Sequence, residues 1–195
     1  SPPAGLFAAG IIICILAYTR WHKVHPASFF FMAGARALIY PTAAFSLLSW
    51  EQFGALDGQK LPIFFLLALG LGAYILGISL TARAETSKDP VSDSQKTLPI
   101  LCLCAPILFF SGPLLLTNNG TALPPLVLFI VVLSIIVRRL RANRDVGAFV
   151  SRTLAAIPLV DYLLVFTFAP HPAFWIICPL LALAALGLQK IAPAT

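Results

Sequence analysis

The sequence predicts an all-α, polytopic membrane helix bundle, and three observations carry that prediction. Of 195 residues, 59% are hydrophobic and only 10% are charged, against about 25% charged in a typical soluble domain. The mean hydropathy is +0.94. The basic residues also fall almost entirely on one side of the expected bilayer. So apolar a chain lacks the polar surface to clothe a water-soluble fold. Soluble enzymes, nucleic-acid binders and disordered proteins are excluded, and lipid is the remaining solvent.

Seven apolar stretches are expected to form helices: 4–18, 27–50, 61–82, 98–117, 121–137, 146–170 and 172–188. Crossing a hydrocarbon core of about 30 Å takes about 20 residues at 1.5 Å each. The first stretch runs only from Ala4 to Tyr18, about 22 Å at that rise. It follows Ser1-Pro2-Pro3 without a signal-peptide n-region. The expectation is a first helix too short to span, cut by the start of the chain. Residues 1–195 then form a single, N-terminally incomplete domain.

Charge sets the orientation. Counting alternate sides from the first connection, one side collects Arg20, Lys23, Arg83, Lys88, Lys96, Arg138, Arg139, Arg141, Arg144, Arg152 and Lys190. The other collects Lys60 alone, and Arg36 lies inside a stretch. Eleven against one predicts that the rich side, with the C-terminus, is cytoplasmic. The net charge of +6 follows from this asymmetry and needs no nucleic-acid partner. Cys14, Cys102, Cys104 and Cys178 all sit in apolar runs, without disulfide or zinc spacing, and read as small hydrophobes. No internal repeat is present. The polar run Arg83–Thr97, with three acids and three bases, is expected to be a cytoplasmic loop.

Ionisable groups inside spans cost roughly 2.5–3.5 kcal/mol on insertion scales, so each raises a functional question. Arg36, in Met32-Ala33-Gly34-Ala35-Arg36-Ala37-Leu38, binds an anion at the floor of a cavity, pairs with Asp161 of the sixth stretch, or snorkels to the interface. Tyr18-Thr19-Arg20-Trp21-His22-Lys23 packs cations and aromatics into the end of the first stretch. It suits an interfacial anchor or a phosphate-facing cluster. Glu85, Asp89 and Asp93 fall at i, i+4 and i+8. On a continuing helix, Glu85 and Asp89 would share a face and offer oxygen ligands to Mg²⁺. Pro90 opposes helix at Asp89, and a plain solvated loop is the other reading.

Taken in order, these features resemble the UbiA superfamily of membrane prenyltransferases, closest to its divergent, EboC-like branch. A span ends in Tyr18 with Lys23 beyond it, the next carries Arg36 among small residues, and a third runs from Tyr74 into Thr81-Ala82-Arg83-Ala84-Glu85. The resemblance implies a nine-helix fold that moves a polyprenyl group from its diphosphate to an aromatic or other small acceptor. It implies that Tyr18, Lys23, Arg36 and Arg83 bind diphosphate. It also implies that Glu85, Asp89 and Asp93 hold Mg²⁺ in place of the second Asp-rich motif. The expected partners are the bilayer of a bacterial inner membrane, a prenyl diphosphate and a small hydrophobic acceptor. The first family motif, N-D-x-x-D-x-x-x-D, does not occur in these residues. A non-catalytic relative that binds or helps export a lipophilic small molecule is therefore the alternative. On the prenyltransferase reading, Tyr18, Lys23, Arg36, Arg83 and Glu85 are expected to converge on one cytoplasm-facing hollow with apolar deeper walls.

Overall fold

A computed structural model describes the chain except for residues 23, 47–48, 50, 53–54, 56–59, 87–92, 118–119, 121–122, 144, 169–170 and 192–195. At 26, 60–61, 63, 84–86, 93–96, 113–117, 141–143, 167–168 and 190–191 it describes the backbone alone. All the described secondary structure is helical. In chain order it comprises α1 (Pro2–Trp21), a 3₁₀ turn (Pro26–Ser28), α2 (Phe29–Ala37), α3 (Ile39–Phe45) and α4 (Lys60–Thr86). Then follow α5 (Asp93–Thr117), α6 (Leu123–Asn143), α7 (Val146–Ala155), α8 (Ile157–Phe168) and α9 (Phe174–Ile191).

α2 with α3, and α7 with α8, each form one bent rod, so the described residues make seven rods that coincide with the seven apolar stretches. Both bends have a proline cause. Pro41 lacks the N–H that would bond the Ala37 carbonyl, and the helix breaks at Leu38. Pro158 does the same to the Leu154 carbonyl. The preceding turn tightens there, with the Ala156 N–H shared between the Arg152 and Thr153 carbonyls at 3.1 and 3.2 Å.

Four helical stretches are long and apolar enough to cross a membrane: Pro2–Trp21, Phe64–Arg83, Leu123–Leu140 and Val146–Phe166. They mark the chain as an integral membrane protein. Phe29–Phe45, Thr97–Gly112 and Phe174–Gln189 are shorter apolar helices.

Two expectations need correction. The first helix is not short: α1 has 20 residues, about 30 Å at 1.5 Å each. Pro2 and Pro3 are counted into its first turn, where a missing N–H costs nothing, and Thr19 to Trp21 prolong its other end. The polar run Arg83–Thr97 is not one loop either. Helix α4 continues through Glu85 to Thr86, and α5 already begins at Asp93.

The chain divides into two compact units, Ser1–Leu80 with Thr97–Phe109, and Thr81–Lys96 with Phe110–Thr195. In the first unit α1 lies against α2 and α3. Phe7 stacks on Phe45 with ring centres 5.4 Å apart, and Trp21 meets Phe31 at 5.7 Å. The Ser1 hydroxyl donates to the Phe45 carbonyl. α4 is the buried centre, with Leu67, Leu71, Tyr74, Ile75 and Ile78 all enclosed. Small residues set how closely it is approached. A Cβ at Gly72 would lie 3.1 Å from the Ala37 Cβ of α2. One at Gly77 would lie 2.7 Å from the Pro99 carbonyl oxygen of α5.

In the second unit α6 and α9 each pack on α7 and α8. Tyr162, Phe166 and Cys178 form a buried cluster against Leu128 and Phe174. Trp175 closes it edge-on, 4.9 Å from Phe166. Aromatic edges of this kind add roughly 0.5–1.5 kcal/mol each beyond their area.

Candidate functional site: an arginine-ended cavity in the second unit

Three rods of the second unit border a half-open cavity of about 430 Å³, inside the range of roughly 300–1,000 Å³ common for small-molecule sites. Its walls follow from helical periodicity. α6 presents Leu128, Val132, Ile135, Ile136 and Arg139, a 3.6-residue stripe. α7 and α8 contribute Arg152, Ala155, Ala156 and Leu159, which keep helical spacing across the bend. α9 adds Pro179, Ala182, Leu183 and Leu186. Ala155, Ala156 and Ala182 project little beyond Cβ, so space remains where larger side chains would fill it.

The cavity is long and polar at one end only. Leu128 and Arg139 lie about 16 Å apart along the α6 axis at 1.5 Å per residue. Among the described residues, all the lining side chains are apolar except Arg139 and Arg152. Ile135 is 47% and Leu183 63% exposed, so one side opens at the surface of the unit. The nearest acid in sequence, Asp145, does not line the cavity. Its Oδ1 caps α7 by accepting the Ala148 N–H at 2.9 Å. One turn beyond Leu186, the Gln189 Oε1 is buried without a hydrogen-bond partner among the described residues.

The described residues of the sequence-expected site do not line this cavity. Tyr18 sits in the last turn of α1, its ring stacked on His22 at 5.5 Å. Arg36 is exposed near the end of α2, and Arg83 is exposed near the end of α4. Tyr18 and Arg36 belong to the first unit and Arg83 to the second. Lys23 and Asp89 lie outside the described residues, and Glu85 and Asp93 are placed by backbone alone, on α4 and α5 respectively. Among the described residues no group of three His, Cys, Asp or Glu side chains could hold a metal ion. Asp161 is half-buried on α8, within electrostatic reach of the Cys178 thiol on α9. Arg36 and Asp161 fall in different units.

Arg139 and Arg152 entered the sequence reading only as markers of orientation. A signal was present for Arg152. It stands six residues inside the stretch that starts at Val146, about 9 Å along a helix, an ionisable group inside an apolar run just as Arg36 is. No family model matches the chain, and neither a characterised relative nor a solved structure is found to be similar to it.

Proposed function

We propose that this chain belongs to a UbiA-like integral membrane protein that takes a lipophilic small molecule into the cavity of its second unit. The protein serves as a binder or export component rather than a catalyst at that site. The single observation behind this reading is the cavity: it has the size of a ligand site, is apolar along its length and is open at one side. Among the described residues its lining includes no Asp, Glu, His, Cys, Ser or Lys, and so no nucleophile, general base or metal ligand. In the same reading all seven rods insert, with the Arg138–Arg144 end and the C-terminus in the cytoplasm of a bacterial cell.

The prenyltransferase reading is second. Its support is the likeness of residues 18–93 to the UbiA motifs. It requires Tyr18, Lys23, Arg36 and Arg83 to hold diphosphate and Glu85, Asp89 and Asp93 to hold Mg²⁺.

A cavity-filling variant tests the first reading. Ala182→Phe in the purified full chain is expected to weaken binding of a fluorescent fatty alcohol by about tenfold or more, about 1.4 kcal/mol. Undiminished binding would overturn it. Mg²⁺-dependent release of diphosphate from a prenyl diphosphate would establish the second reading instead.

A further inference from the structure

We infer that the occupant of this cavity is a single-chain lipid phosphate, its tail along the apolar stripe from Leu128 and its phosphomonoester at Arg139 and Arg152. The inference rests on the lipophile-binding reading above and adds the chemistry of the headgroup.

Charge is the first argument. Two guanidinium groups from different helices line one hollow that, among the described residues, no carboxylate lines, and guanidinium stays charged in proteins. Arg138 is exposed in the same turn of α6 and can reach the interface by snorkelling. Arg139 is exposed as well, and Arg152 is half-buried; both line the apolar hollow, and a half-buried cation beside apolar walls is costly without a counter-ion. An anion answers both. A carboxylate brings one negative charge and leaves one guanidinium uncompensated. A phosphomonoester carries about −1.5 to −2 near neutral pH with three acceptor oxygens, and guanidinium forks match those oxygens pairwise.

Shape is the second argument. The cavity extends about 16 Å from Leu128 to Arg139 in a volume of about 430 Å³. Those dimensions suit one hydrocarbon chain rather than a two-chain lipid. The exposed Ile135 and Leu183 leave a side through which a tail can enter from the bilayer.

The test measures calorimetric binding of dodecyl phosphate, dodecanoate, dodecanol and inorganic phosphate to the full chain in detergent micelles. Dodecyl phosphate should bind at least about tenfold more tightly than dodecanol. Arg139→Gln and Arg152→Gln should each remove about tenfold of that affinity, about 1.4 kcal/mol, and leave dodecanol unchanged. Equal affinity for dodecyl phosphate and dodecanol overturns the headgroup assignment while the cavity reading stands. Dodecanoate binding as tightly as dodecyl phosphate overturns the two-charge argument. Inorganic phosphate competing as well as dodecyl phosphate overturns the tail. Failure of every chain probe to bind overturns the cavity reading and this inference together. The comparison among wild-type probes holds whether or not the glutamine variants fold, and Arg152→Lys, which keeps the charge, should retain part of the preference.

Discussion

The two units of this chain solve helix packing in opposite ways. In the first, glycines let helix backbones touch: Gly70, Gly72 and Gly77 of α4 each leave room that a neighbouring helix occupies to within 3.2 Å of a would-be Cβ or closer. In the second, Gly112 and Gly187 have nothing within 4 Å of that position, as is also true of Gly5 in the first turn of α1, and no described glycine of the second unit meets a neighbour as closely as those of α4 do. Both units hold a proline-bent rod, at Pro41 and at Pro158, but in the second a cavity lies among the helices. Apolar packing among membrane helices gains little from expelling water, so close backbone approach is what holds such interfaces. Where that approach is relaxed, space for a ligand remains. The difference teaches that the first unit is built for contact and the second for occupancy.

The largest expected effect strikes the contact side. Gly77→Ala would set a methyl 2.7 Å from the Pro99 carbonyl oxygen, 2.9 Å from the Leu103 Cγ and 3.0 Å from the Leu103 nitrogen. Two of the three are backbone atoms of α5, so relief requires the helices to separate. Overpacking of this kind costs about 1–3 kcal/mol, more than the helix propensity gained from alanine. Unfolding of the purified protein in mixed micelles should show the loss. A neutral result would break the contrast at its strongest point.

A middle-sized effect belongs to the cavity side. The end of the cavity that carries Arg152 depends on where α7 begins, and a side chain fixes that start: Asp145 accepts the Ala148 N–H at 2.9 Å. Asp145→Ala removes the cap and should cost about 1 kcal/mol, whereas Asp145→Asn, an equally good cap, should change little. Equal losses in both variants would mean that the carboxylate charge, rather than the cap, matters.

What was legible in the sequence follows the same division. Rod positions were readable because each is a local run of apolar residues of sufficient length, and the structure returns one rod for each run. Rod ends were less readable. Pro2 and Pro3 extend α1 beyond the apolar run because the first helical turn tolerates proline, and Glu85 lies on α4 although charge and polarity around it suggested a loop. The bends at Leu38 and Ala156 were written in Pro41 and Pro158, three and two residues onward, but hydropathy alone passes straight over them. The cavity was illegible. Leu128 to Arg139, Arg152 to Leu159 and Pro179 to Leu186 are separate stripes whose convergence is a tertiary fact, and no one stripe differs from an ordinary packing face. Arg152 was the exception that charge placement could have raised. The expected diphosphate set, in contrast, was drawn from motif order along the chain. Its members fall in both units or outside the described residues.

The smallest effect gives the cleanest control, because it repeats the same substitution in the other unit. Gly187 lies inside α9, and a Cβ there meets nothing within 4 Å. Gly187→Ala therefore carries no steric cost. What remains is the backbone entropy that glycine loses in a helix, worth about 0.5–1 kcal/mol relative to alanine. The variant should be slightly more stable in the same micellar assay that finds Gly77→Ala less stable. The opposite signs are the decisive reading, since detergent, solubility and side-chain chemistry are common to both measurements. If Gly187→Ala were instead destabilised to a similar degree, the space around α9 would have to be filled in the membrane-inserted protein. The loosely packed character assigned to the second unit would then be lost.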